Sequence, residues 1–568
     1  MRAAAGQLRR RLLIGGILAA SLAVTGTTLT NAAWTDNEYV HANVGTDGRC
    51  EQDSGTTTTA AARQLSGTLL NSNLDSVAAL KGLSVTNDGA GTSTASANAL
   101  RITRDTFMAP LDASAINTDL LLLSLPLGLP VGSADVYSQW GQTVNNGNAT
   151  AASGLITDSG GALGVGQSQN PTDPPAMATL NLGAVVPTAL AGLSLDVGAV
   201  SSIAELTYCG DLGNGWQGPL PQPLVNRSYQ ASALNLNVDM PTLDAAVAGT
   251  DTLLQGVNAH LLAATPGLSA AVAQDLITAA TPLLGDLNSV TPADVKAEVK
   301  LDLSKLDLTA ARALLTSTMT DAKGLIKINF GSGVAHINLA KAEGGINSLN
   351  GRAPNTEIAL TQDITNQLSG ALTQVLDTWR AKVTAAVQQA IRATPASVTA
   401  TVTVRTLGIP VGEISLGLEP VTIGQLLDLH YGISGTPAAR VTTSLKLLGL
   451  NPPTTALNTL ASGLAAALPA ITGKALHNGL ILGVVGTLNT AVQEQTSPVG
   501  PALAKALGQV NALISITVNV QPDQPGYHGT AKSTPLSVTA IRISIDPLNT
   551  LDLSLATSSI AYTDPKQP

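Results

Sequence analysis

Aromatic residues are scarce in this 568-residue chain, with Phe 2, Trp 4 and Tyr 7 together making only 2%. Carbohydrate platforms and base-stacking surfaces both need exposed rings, so those two binding classes lose their usual apparatus. Charge is thin as well: charged residues are 12%, the formal net charge is -9, and no Lys/Arg cluster follows Arg11. Nucleic acid and anionic lipid are therefore excluded as partners on electrostatic grounds. No apolar run reaches the roughly 20 residues of a bilayer-spanning helix, so no membrane span is expected in the mature chain. What remains is 44% hydrophobic residues, carried by Ala, Leu, Val and Ile. That is ample for several packed cores and unlike disorder, which pairs low hydrophobicity with high charge.

Catalytic signatures are missing too. The chain has no Gly-x-Ser-x-Gly elbow and no His-Glu-x-x-His, and Gly473-Lys474 is followed by Ala475, so it closes no phosphate loop. Gly213-Asn214-Gly215-Trp216-Gln217-Gly218 fits Gly-x-Gly-x-x-Gly but runs into Pro219-Leu220-Pro221, where no helix can receive a pyrophosphate. The histidines His41, His260, His336, His430, His477 and His528 are scattered, with no metal-ligand spacing, and no calcium-loop run of acids is present. No catalytic residue, metal site or cofactor is expected, and the chain reads as a non-enzyme.

The amino-terminal stretch is the most informative. Arg2, Arg9, Arg10 and Arg11 precede Leu12 to Val24, about 13 mostly apolar residues, and small residues follow from Thr25. This is the order of a secretory signal peptide, residues 1–33. Cleavage between Ala33 and Trp34 leaves Trp34-Thr35-Asp36-Asn37-Glu38 as the mature start, with cleavage after Ala32 as the neighbouring alternative. Arg-Arg-Arg-Leu-Leu lacks the full twin-arginine motif, which favours the general secretory route. In an exported chain the two cysteines, Cys50 and Cys209, read as one disulfide. Closing a loop of about 160 residues stabilises the folded state by up to about 5 kcal/mol in the chain-entropy model. So far apart, and with no Cys-x-x-Cys, they make no zinc site.

The rest predicts an α+β fold. Residues 34–240 are short apolar stretches broken by Gly, Asn, Asp, Ser and Pro, the texture of a β-rich domain. Gly141 to Gly154 and Gly160 to Pro175 read as exposed loops, and Asn148-Ala149-Thr150 as a polar loop with a glycosylation-type pattern. Beyond Pro241, Ala/Leu-rich helical segments lead three times into alternating ones, giving helix-then-antiparallel-strand units at 241–360, 361–450 and 451–568. In the second, Ile364, Leu368, Leu372, Val375, Trp379, Val383, Val387 and Ile391 recur every three or four residues, one buried helical face that Pro395 stops. Val398, Ala400, Val402 and Val404 then alternate with Thr and Arg as a strand. The closing LSVTAIRISI and LDLSLATSSIAYTD segments read as antiparallel strands.

The junction AAWTDNE resembles the SipW-dependent type of signal peptide, which is met on bacterial biofilm matrix and surface proteins. The segments around Cys50 (GTDGRCEQDSGTTTTAAARQLSGTLL), LDSVAALKGLSVTNDG (Leu74 to Gly89), LDVGAVSS (Leu195 to Ser202) and the closing LSVTAIRISI and LDLSLATSSI resemble the choice-of-anchor G family of actinobacterial exported proteins. The resemblance covers nearly the whole mature chain. It implies a secreted, extracellular or cell-surface protein of the envelope or matrix, with a structural or adhesive role and envelope polymer, surface or matrix proteins, or its own copies as partners. Family members end in a wall or membrane anchor, whereas only Thr-Asp-Pro-Lys-Gln-Pro follows Tyr562 here. Leu468-Pro469-Ala470-Ile471-Thr472-Gly473 resembles a sortase motif with one residue too many. Two alternatives stand beside this reading: a carrier holding an apolar ligand between strands and helices, and a secreted hydrolase whose site is assembled from scattered residues around His336 or His430.

Overall fold

The computed structural model describes residues 54–563 apart from 71, 78–79, 112, 123–126, 129–137, 155–176, 185, 187–191, 212–216, 285–289, 345–348, 449–453, 528–535 and 546–549. The signal segment with Ala33 and Trp34, and also His41, Cys50 and His528, lie outside the described residues. The fold is α+β, with a β-rich amino-terminal region, long helices leading into antiparallel strands, and closing strands.

The largest sheet has eight strands, and its interior is built from the two ends of the described chain. Strand Thr57–Leu69 pairs antiparallel with Leu551–Thr563, from Thr57↔Thr563 to Leu69↔Leu551. On its other side Thr57–Leu69 pairs with Leu83–Asn87. A six-stranded sheet packs over this one, and its strands Ser138–Thr143 and Ala149–Gly154 form a buried hairpin. The expectation of an exposed loop over 141–154 is therefore corrected. Ala149-Thr150-Ala151-Ala152-Ser153-Gly154 is fully buried because only small side chains fit between two closely packed sheets. Some polar atoms trapped there find each other, Ser202 Oγ lying 2.8 Å from Ser558 Oγ and Ser153 Oγ donating to Gln64 Oε1 at 3.2 Å, whereas Thr58 Oγ1, Gln139 Oε1 and Ser201 Oγ have no partner.

A seven-stranded and a four-stranded sheet complete the fold. Strand pairing crosses the boundaries expected at 240 and 360: Leu234–Asp239 pairs with Val334–Asn338, and Val295–Leu301 with Pro395–Thr406. Each helix-strand unit leaves a sheet edge that a neighbouring unit fills.

The helices bury one face each. The central helix, Gln362–Ala393, starts with the Thr361 hydroxyl accepting from Ile364 N and ends before Pro395, as its periodicity predicts. The first long helix, Pro241–Ala280, runs antiparallel to the distal helical run over 454–513: Lys474 Nζ meets Asp275 at 3.0 Å, and a side chain at Gly479 would strike Leu268. His477–Val485 within that run is π-helical. By length and composition alone, Pro241–Leu283 and Thr454–Leu513 could each cross a membrane.

An ion pair between a buried acid and a half-exposed arginine joins two strands of the four-stranded sheet. Asp294 closes a capping box on Thr291 and accepts from Arg405 Nε at 2.7 Å. Burial raises the Asp294 carboxyl, but the Thr291 hydroxyl and N–H and the Arg405 guanidinium outweigh it and hold the group below its usual range. Its stabilisation is thus complete above the unfolded value of about 4 and is lost as pH falls through the lower folded value. Asp294→Asn should cost about 2 kcal/mol at neutral pH and almost nothing in strong acid, read from urea midpoints at both. A cost that did not change with pH would show that packing, not charge, holds this corner.

Candidate functional site

Three polar constellations are candidates, two brought together by sheet register and one by helix packing. The first is a ladder across the seven-stranded sheet. Asn237 lies opposite His336 on one side and Ser194 on the other, and Asp196 lies opposite Thr179. His336 Nδ1 donates to Asn237 Oδ1 at 2.7 Å; Asn237 Nδ2 donates to Asp196 Oδ2 at 2.7 Å and to Ser194 Oγ at 3.1 Å; Thr179 Oγ1 donates to Asp196 Oδ1 at 2.8 Å. Asn237 Oδ1 can only accept, so His336 carries its proton on Nδ1. Burial lowers the His336 imidazole below its ordinary value, the Lys327 charge across the next strand pair adds to this, and Asp196 pulls weakly upward. Burial and the Lys327 charge both favour the uncharged ring.

This brings a histidine near an acid and a hydroxyl, as a scattered hydrolase site would require, but an amide stands between them. The Ser194 hydroxyl bonds to Asn237 and not to the imidazole, and a nucleophile needs its base within direct hydrogen-bond reach. The ladder cross-links strands.

The second constellation lies where the short helix Ile423–His430 meets the distal helix. Tyr431 Oη is 2.8 Å from His477 Nδ1, and the His430 and His477 rings lie 6.4 Å apart. Beside them a groove of about 540 Å³ is lined by Gln389, Arg392, Thr422, Gln425, Asp428 and Thr436. Arg392 Nη2 donates to Asp428 Oδ1 at 2.5 Å within it. The lining is polar and charged, the opposite of the interior an apolar-ligand carrier needs. Among the described residues no three His, Cys, Asp or Glu side chains group as metal ligands.

The third is the Cys209 corner. Cys209 is disulfide-bonded; Cys50, its expected partner, lies outside the described residues. The strand Val200–Asp211 shifts register between Thr207 and Cys209. Asn148 repairs the ladder there: its Oδ1 accepts from Tyr208 N and Cys209 N, both at 2.8 Å, and its Nδ2 donates to Cys209 O at 3.3 Å. The asparagine read as part of a polar loop is thus a bulge clamp beside the disulfide.

Among these residues, Cys209, His336 and His430 were visible as candidates from the sequence, and His477 only as one of the scattered histidines. Asn237, Asp196, Asn148, Arg392 and Asp428 were not, since only register and helix packing give them roles. No curated protein and no solved structure matches the chain. Residues 60–561 match a family model, and the chain belongs to the family described as Domain of unknown function (DUF8394).

Proposed function

We propose that this chain is an exported bacterial surface or extracellular-matrix protein that acts by structure and adhesion, without turnover. The observation that carries the reading is how the polar side chains are spent. The His336 ladder, the Ser202–Ser558 contact and the Asn148 clamp tie strand to strand and sheet to sheet. The amino-terminal tag and the whole-chain resemblance supply the location, and the Cys209 disulfide agrees with an oxidising compartment. Its partners are envelope polymer, surface or matrix proteins, and copies of itself.

The test joins three measurements. Fractionation should place the protein in medium or wall, beginning at Trp34 and carrying one Cys50–Cys209 cross-link in non-reducing peptide maps. Deleting the gene should alter adhesion, aggregation or biofilm. The purified chain should turn over no esterase, glycosidase or peptidase substrate; a rate that His336→Ala abolishes with the fold intact would replace this reading by the hydrolase.

A further inference from the structure

A sheet edge is a row of unpaired backbone donors and acceptors, and proteins ordinarily block it. Most long edges here are blocked. The edge strand Gln217–Ala231 carries Pro219, Pro221 and Pro223, which have no N–H to offer, and farther along Asn350 Oδ1 accepts from Ala231 N at 2.8 Å. In the four-stranded sheet, one edge is Val295–Leu301, packed under the first long helix, whose Ser269 Oγ accepts from Val299 N at 2.9 Å. That strand also presents Lys296, Glu298 and Lys300, so pairing with its own copy about Glu298 would set lysine against lysine and glutamate against glutamate.

The opposite edge of the same sheet, Val441–Leu447, carries one lysine and packs against the distal helix Thr454–Leu476, but it holds no proline, and among the described residues no side chain caps its outward backbone groups. Thr442, Thr443, Ser444, Lys446 and Leu447 are exposed, Leu447 at 46%. Its direction of hydrogen bonding follows from its flanks. Leu448 N donates to Val411 O and Glu419 N to Arg440 O, and the register Gly412↔Leu447 to Leu418↔Val441 runs between them. Antiparallel ladders alternate, so 440, 442, 444, 446 and 448 face the strand Ile409–Thr422. Val441, Thr443, Leu445 and Leu447 therefore point their N–H and C=O outward, and among the described residues nothing accepts or donates there.

We infer that Val441–Leu447 is a docking edge for a second copy of this chain, pairing antiparallel with itself about Ser444. This deepens the reading of the protein as a self-associating surface component, on which it rests, by naming the partner and the contact. In that register the outward-facing residues meet: Val441 opposite Leu447 and Thr443 opposite Leu445, each able to exchange both backbone hydrogen bonds. Their side chains share one face, so the exposed Leu447 gains Val441 as a cross-strand neighbour. On the other face Thr442 stands opposite Lys446 and Ser444 opposite itself, so the strand's single lysine never meets its copy. The contact is isologous and closes at two chains, making one continuous sheet from two four-stranded ones.

Sedimentation velocity on the purified full mature chain tests this across a concentration series. The expected result is a monomer–dimer equilibrium that Thr442→Lys weakens about tenfold, by placing a lysine opposite Lys446 at two equivalent positions, and that Thr442→Glu tightens about threefold. Pairing Thr442→Lys with Lys446→Glu should restore the dimer. Thr442 and Lys446 are both exposed, so circular dichroism should stay constant across the set. A monomer at every concentration, a dimer indifferent to these charges, or a polymer that keeps growing overturns the inference. Adhesion that survives loss of the dimer in Thr442→Lys cells sinks this edge alone. Adhesion indifferent to deleting the gene, with the dimer intact in solution, sinks the functional reading instead.

Discussion

Trp379→Ala will lower the unfolding free energy by about 4 kcal/mol, seen as a large fall in the urea midpoint by circular dichroism. The chain owns very few aromatic rings, and two of them stack here: Trp379 on the central helix lies on Phe330 with centroids 4.7 Å apart and planes 9° from parallel. Both are buried, Trp379 completely. Its Nε1 donates to Leu314 O at 2.8 Å, so one side chain joins the central helix, the segment before Thr318–Thr320, and the turn after Ile326–Asn329. Alanine removes the ring, leaves a cavity and takes one donor from the Leu314 carbonyl, which keeps the Ser317 hydroxyl at 2.7 Å. Trp379→Phe keeps the stacking and loses only the indole hydrogen bond, at about 1 kcal/mol, since Ser317 still donates to Leu314 O. A loss below about 2 kcal/mol for alanine would mean that the neighbouring helices collapse onto the gap and that this stack is not the keystone it looks to be.

Gly473→Val should cost about 3 kcal/mol. Gly473 sits in the distal helix, Thr454–Leu476, where it faces the short helix Ile423–His430; a Cβ there would lie 2.1 Å from Leu426 O and 2.8 Å from His430 Cβ. The obstacle is backbone, which cannot rotate aside, so the two helices must part. Even Gly473→Ala should destabilise, although alanine is the better helix former by about 1 kcal/mol. The control is Gly370→Ala in the central helix, where nothing lies within 4 Å. That change should gain about 0.5 to 1 kcal/mol. If both alanine variants gained alike, the close approach of these helices would be wrong.

The elements legible in the sequence were those whose pattern is local. The central helix could be read because Leu368, Val375, Trp379, Val383 and Val387 repeat at helical spacing, and Pro395–Thr406 because valines alternate with threonines. Ala149–Gly154 was misread because small residues and glycine look the same in a loop and in the tight space between two sheets. The sites were hidden for another reason. Nothing local says that Asn237 faces His336, that Ser269 caps Val299, or that Asn148 completes the ladder at Cys209; each depends on a register or a helix position fixed by the whole fold. Open edges are invisible in the same way, since Val441–Leu447 and Val295–Leu301 both alternate and only a serine from a distant helix caps one of them.

Placing Thr57–Leu69 inside the eight-stranded sheet also sets an order of assembly. A ribosome makes this strand early and its longest partner, Leu551–Thr563, last. Until then it can draw only on Leu83–Asn87 and the two-residue strand Ser72–Asn73. Pairings so distant along the chain close slowly, because the entropy of the intervening loop is lost before any contact repays it. Under the export proposed above, which would need an unfolded chain in the membrane pore, a sheet that closes only with its final strand would leave this region unpaired until the whole chain had been made.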